Sequence, residues 1–282
     1  MKRSACCRLS RVAPLCPRRP HSPARWSSGS SASTATTPAG GDKAHQHSYH
    51  AVVVHADRQG NLHSNDVVVV SSPSELVNQD PASAVTVRVR FSNLNYKDGM
   101  IVQGRSGVVS RFPIVPGIDA AGTVIETSSK SVNVGDEVVV TGNKIGQHFD
   151  GGFSQLLRVK AEWLLPLPRA FTLKESMMIG SAGVTAMQCI MHLEEHAGLD
   201  PTKGEVLVTG AAGGLGSIAV AILSKLGYSV CASSGRAEAL EGYFKALGAA
   251  RVIGRLEQNP KRPLGAQLWA GAVDSVGGET LA

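Results

Sequence analysis

VTGAAGGLGS, running from Val208 to Ser217, decides how the second half of this chain folds. Four glycines fall between Gly210 and Gly216, directly after the apolar run EVLV and just before the apolar run that starts at Ile218. Ala211-x-Gly213-x-x-Gly216 is a variant of the dinucleotide-binding glycine pattern, with alanine in the first place. A strand before it and a helix after it turn a weak pattern into a fair one. Small residues permit a tight turn and let a pyrophosphate reach the backbone amides, while the helix N-terminus favours its negative charge. Gly213, Gly214, Leu215, Gly216 and Ser217 are therefore candidate cofactor contacts.

Working outward, the loop sits in an alternating pattern. LKESMMIGSAGVTAMQCIMHLEEHAG reads as helix, GEVLVTG as a buried strand, GGLGSIAVAILSKLG as helix and YSVCASS as strand. EALEGYFKALG then reads as helix, with ARVIG and AGAVDSVGG as two further strands. Strands alternating with helices imply right-handed crossovers and a parallel sheet. A doubly wound dinucleotide sheet has six strands, and only four are legible, so the sequence reads as incomplete at its C-terminal end. Upstream, from about Tyr49 to Pro168, Val-, Ile- and Thr-rich runs such as HAVVVHA, AVTVRVRFS and DEVVVTG are separated by turn residues. That texture predicts a compact, barrel-like β unit. The fold class is α/β: a β-barrel domain over residues 46–175 and a doubly wound, incomplete dinucleotide domain over residues 176–282.

The type of dinucleotide follows from the end of the second strand. Folds that prefer NAD place an acid there to bond the ribose 2′-hydroxyl. Here the strand ends in Ser233, Ser234, Gly235 and Arg236, with no acid. Hydroxyls and a guanidinium suit a 2′-phosphate, because arginine presents a planar, charge-assisted fork. Arg255, after the third strand, adds a second cation near the adenosine end. The expected cofactor is NADPH.

Charge excludes other functions. The formal charge is +6, yet seven of the 28 basic residues and none of the 22 acids lie in residues 1–40. The remaining 21 basic residues against 22 acids give the body a net charge of −1, which lacks the electrostatic footprint of a nucleic-acid binder. Residues 1–45, rich in Arg and Ser, read as an organellar transit peptide and linker. ARWSSGS (24–30) resembles a mitochondrial processing site, and a plastid address is the alternative. No apolar run reaches the length of a membrane span. Three of the five cysteines fall in the presequence, leaving Cys189 and Cys231 as small buried hydrophobes.

Several further motifs carry a family resemblance. LNYKDG, RFPIVPGIDAAG, GSAGVTAM, LSKLGYSV, SSGR and LWAGAVDSVGG occur in order from Tyr49 to the end. Together they resemble the medium-chain dehydrogenase/reductase superfamily, and within it the zinc-free quinone oxidoreductase type and its acryloyl-CoA reductase subfamily. The resemblance implies a GroES-like catalytic domain, a Rossmann NADPH domain, a small-molecule substrate and a homodimer of the full-length protein. The glycine spacing Thr209-Gly210-x-x-x-Gly214-x-Gly216 also fits short-chain dehydrogenases, but no tyrosine here has a lysine four positions later.

Zinc-dependent relatives draw Cys and His ligands from the segment that here reads PGIDAAG, which has neither. No metal ligand is assigned. Hydride addition to a plain ketone leaves an alkoxide that usually wants a Lewis acid. An α,β-unsaturated thioester spreads that charge into an enolate that hydrogen bonds can stabilise, and a quinone also accepts hydride without a metal. The resemblance therefore implies NADPH-dependent reduction of acryloyl-CoA to propionyl-CoA. NADPH:quinone oxidoreduction is the alternative enzyme, and an NADPH-binding protein without catalysis is the alternative of another class.

Catalytic candidates lie in FSNLNYKDG. Tyr96 can donate a proton or bond the nicotinamide, and by resemblance it is the strongest. Asn95 and Asp98 can orient the ring or the loop, and Asp98 equally suits a turn cap. Thr185 should lie near the nicotinamide by the same resemblance, although helical threonines often bond back to their own turn. HLEEH (192–196) matches an inverted zincin pattern, but it sits at a predicted helix end without a visible third ligand.

Overall fold

The computed structural model describes residues 48–57, 61–70, 82, 84–105, 107–109, 111–256 and 266–281. Residues 1–45, read above as a transit peptide and linker, lie outside them. Within the described residues, β1 (Tyr49–Ala56) and β2 (Leu62–Val70) form an antiparallel hairpin. A second sheet has the order β6-β3-β4-β5-β7, built from β3 (Val85–Phe91), β4 (Asp119–Thr127), β5 (Glu137–Thr141), β6 (Leu156–Val159) and β7 (Leu165–Pro166). Isolated bridges Ala51–Ser154 and Val54–Ile114 join the hairpin to segments flanking this sheet. The β texture expected up to Pro168 is interrupted by a 3-10 turn at Ala161–Trp163.

Alternation explains the barrel core. Val85 and Val87 of β3, Val124 of β4, Val138 and Val140 of β5, and Leu157 and Val159 of β6 point inward together. Gly122 lets β4 approach β3, because a Cβ there would lie 2.1 Å from the Arg88 carbonyl oxygen. Between β3 and β4 a short helix, α1 (Tyr96–Val102), stands where the sequence suggested a turn.

The dinucleotide half begins with α2 (Leu173–Ala197), capped at Thr172 by a reciprocal pair with Glu175 and closed by left-handed Gly198. It continues as β8 (Val206–Val208), α3 (Gly214–Lys225), β9 (Val230–Ser233), α4 (Glu241–Ala246), β10 (Arg251–Ile253) and β11 (Gly271–Val273). All four strands are parallel, in the order β10-β9-β8-β11. In order of appearance that is 3-2-1-4, the start of the doubly wound arrangement. Val206 to Val208 are buried on both faces, as a covered parallel strand requires. Ala219, Val220 and Leu223 of α3 and Ala186 and Ile190 of α2 complete the core. Cys231 is buried and Cys189 only half-buried. Met177, near the start of α2, packs instead against barrel residues Ala121 and Val139, so α2 belongs to both layers. Among the described residues, no helix is long and apolar enough to cross a membrane.

Candidate active site

A cleft of about 560 Å³ opens at the carboxyl ends of the four parallel strands. Thr209, Gly210, Ala212 and Gly213 follow β8; Ser233, Ser234, Gly235 and Arg236 end and follow β9; Arg255 and Leu256 follow β10; Ser275 and Val276 follow β11. This is the position, beside the point where strand order reverses, at which open α/β sheets bind ligands. Gly216 sets how tightly the loop closes. A Cβ there would lie 2.4 Å from the Gly210 oxygen and 2.8 Å from Ala211 Cα, so any side chain would pry α3 off the loop. Gly210 takes a positive φ of 59° that favours glycine. The first amides of α3, at Gly214, Leu215 and Gly216, have no helical acceptor one turn back and are free for an anion.

The structure gathers Gly213, Ser233, Ser234, Gly235, Arg236 and Arg255 on the cleft wall. Gly214, Leu215, Gly216 and Ser217 follow Gly213 into α3 and are not among the residues lining the cleft: Leu215 packs into the core, and the Ser217 amide donates to the Gly213 oxygen at 2.9 Å. Ser233 Oγ donates to the Gly254 oxygen (2.9 Å), and Ser234 Oγ accepts from the Arg236 amide (3.1 Å). Ser233 is thus a strut between β9 and the end of β10, while Ser234 keeps its hydroxyl proton for a ligand. Arg236 and Arg255 are exposed and form no ion pair among the described residues. The Arg255 guanidinium lies across Gly235, where a Cβ would meet Nε at 2.6 Å. Two free guanidiniums beside a serine hydroxyl fit a phosphate on the adenosine ribose.

Sequence reading missed the wall supplied by the residues after β11. Thr209 Oγ1 donates to Asp274, Ser275 Oγ donates to the Thr209 oxygen (2.9 Å), and the Gly277 amide donates to Asp274 Oδ2 (2.8 Å). These bonds clamp that loop onto the glycine turn. Burial pushes the Asp274 carboxyl up, but the Thr209, Gly277 and Val276 bonds outweigh it and hold the value below 3.8. The strand was legible in AGAVDSVGG; its pairing beside β8 was not.

On the barrel side, Tyr96 opens α1 and is 81% exposed, its hydroxyl making no hydrogen bond to a described residue. Asp98, a candidate for orienting the ring or the loop, is placed with the loop. It is buried, and it accepts from the amides of Asn95 (2.9 Å), Ile118 (3.1 Å) and Gly117 (3.2 Å). Burial raises its carboxyl above the usual range, partly offset by those bonds. Its oxygens are occupied with backbone, so Asp98 anchors the turn that presents Tyr96. Asn95 Nδ2 donates to Asn93 Oδ1 (2.7 Å) and to Asp119 Oδ2 (3.0 Å), an orienting role within the loop. Thr185 lies outside the cleft wall; its hydroxyl bonds back to the Ser181 oxygen at 2.8 Å. His192 and His196 stand with ring centroids 4.4 Å apart on exposed α2 positions, and no group of three His, Cys, Asp or Glu able to hold a metal ion occurs among the described residues.

Residues 81–169 match the alcohol dehydrogenase GroES-like domain. The yhdH oxidoreductase from Salmonella enterica, solved in complex with NADP, superimposes with a TM-score of 0.74 at 45% identity, covering 82% of this chain and 69% of that one. The chain belongs to the medium-chain dehydrogenase/reductase superfamily. Within the superfamily, the Bacillus subtilis protein yhfP, solved with NAD bound, gives a TM-score of 0.75 at 40% identity over 84% of this chain and 70% of that one. The acrylyl-CoA reductase AcuI of Ruegeria pomeroyi is 50% identical over 204 residues, 72% of this chain and 61% of that protein. This chain thus spans about three-fifths of the length of that reductase.

Proposed function

We propose that the full-length protein is an NADPH-dependent reductase of an activated carbon–carbon double bond, converting acryloyl-CoA to propionyl-CoA. The observation that carries the cofactor is the pair of exposed guanidiniums, Arg236 and Arg255, with no ion pair among the described residues, flanking Ser234 and Gly235 on the cleft wall. An adenosine 2′-phosphate matches them in charge and geometry. The thioester substrate is supported by the AcuI relative.

Bound NADPH supplies the hydride. The amides of residues 214–216 at the α3 N-terminus would hold its pyrophosphate, and the glycine turn leaves out side chains that would keep it off. Hydride arriving at the terminal alkene carbon leaves a thioester enolate, which gains a proton at the α carbon. Tyr96 is the barrel side chain that delivers it: its hydroxyl makes no hydrogen bond to a described residue, and Asp98 and Asn95 fix the turn beneath it. In the full-length enzyme, NADPH oxidation with acryloyl-CoA should exceed that with a small quinone. The reverse order, by a wide margin, would make quinone reduction the function. The same reading includes a homodimer, to be tested by sizing, and import of the precursor into mitochondria with loss of the presequence, to be tested by N-terminal sequencing of the mature protein.

A further inference from the structure

Gly180 breaks α2, with φ 48° and ψ −160°. In an unbroken helix the Ser181 amide would bond the Met177 oxygen, four residues back. Here each of those two groups finds its partner in the barrel. The Ser181 amide donates to Asp119 Oδ2 at 2.9 Å, and the Met177 oxygen accepts from Asn93 Nδ2 at 3.2 Å. Asn93 occupies the break itself: a Cβ at Gly180 would lie 1.8 Å from its Nδ2. Asp119, at the start of β4, has no solvent exposure. Its Oδ1 accepts from Ser181 Oγ (2.7 Å), and its Oδ2 also accepts from Asn95 Nδ2 (3.0 Å). Asn95 closes the ring by donating to Asn93 Oδ1. One buried carboxylate therefore caps the 181–197 segment of α2, as an N-cap aspartate would, while also holding the residue that precedes Tyr96.

We propose that Asp119 is a positioning residue that sets the register between the Tyr96 turn of the barrel and the nucleotide-binding half. The proposal rests on the reductase reading for its kinetic consequence. Hydride transfer needs two reactants held by two different layers, and a misplacement near 1 Å can cost about 100-fold in rate. Asp119 reaches both layers through short bonds with no solvent to relax them, whereas the cleft that holds the nucleotide contains none of Asn93, Asn95, Asp119 or Ser181.

Full-length Asp119→Asn tests this, because an amide offers one acceptor oxygen where three donors now meet two. Amide exchange in the free protein should accelerate about tenfold or more at residues 181–185 and 95–99. NADPH affinity by fluorescence should stay within about threefold, and kcat should fall about 100-fold with KM for NADPH nearly unchanged. Unchanged exchange in both segments, or loss of NADPH binding in step with kcat, would overturn the proposal. Ser181→Ala removes the hydroxyl's bonds to Asp119 Oδ1 and Thr141 Oγ1 while keeping the amide bond to Asp119 Oδ2, and should lower kcat about 3- to 10-fold, which decides the matter if the first variant does not fold; wild-type turnover there would also overturn it. If the wild-type enzyme ignores acryloyl-CoA, the substrate reading fails while exchange and NADPH binding still judge Asp119.

Discussion

Removing one guanidinium from the β9–β10 wall should weaken the phosphorylated nucleotide selectively. Arg236 and Arg255 both line the cleft, and the second lies against the Gly235 backbone. A hydrogen bond to a charged group contributes about 1.5–3 kcal/mol when desolvated. Both arginines are exposed, so screening reduces this to about 1–2 kcal/mol each, or roughly 5- to 30-fold in Kd. Arg236→Ala and Arg255→Ala should each raise Kd for NADPH by that factor and leave Kd for NADH nearly unchanged. The double variant should approach the product, about 25- to 900-fold, unless one guanidinium compensates for the other. Gly235→Ala provides an internal check, since its methyl group would displace Arg255 while costing the fold little. Nucleotide titration by fluorescence, at fixed ionic strength, measures all four. Equal losses for NADPH and NADH would refute the reasoning and put the 2′-phosphate elsewhere.

The remaining predictions concern the barrel side and the clamp. Gly180→Ala forces a side chain into a backbone conformation that only glycine tolerates and drives it into Asn93; about 3–5 kcal/mol of stability should be lost, read from urea midpoints. A loss below 1 kcal/mol would mean that the helix break is easily repaired. Tyr96→Phe keeps the ring and removes the proton, so kcat should drop about 100-fold with little change in NADPH affinity; retention of kcat would assign protonation to water. Asp274 has a folded-state value below its unfolded 3.8, so its charged form stabilises the fold above that pH, and the contribution fades as acidification passes the folded value. Asp274→Asn should thus cost more stability at pH 6 than at pH 3; an equal cost at both would show that the carboxylate charge is irrelevant to the clamp.

Local chemistry made much of this protein legible before any coordinates. The run Val206–Val208 and the glycines after it can fold only as a buried strand entering a tight phosphate loop, because an apolar triplet and side-chain-free turn positions leave little else. Ser233 to Arg236 and Arg255, which line the cleft, could be singled out because the missing acid and the added cations sit at strand ends, a position the alternating pattern fixes. Asp98 was left open between two roles for a different reason. An acid beside a tyrosine looks like chemistry in one dimension, and only the approach of Gly117 and Ile118, some twenty residues away, shows its oxygens already taken.

Sequence by itself determined the two textures, the parallel half and the charge match for a phosphorylated dinucleotide, since each depends on neighbours along the chain. Tertiary structure alone decided that the Ser275–Val276 loop walls the cleft, that Thr185 faces its own helix and that Asp119 caps a helix from another layer. Those contacts join residues up to 66 positions apart. Their energy comes from satisfying buried donors and acceptors that no local pattern records.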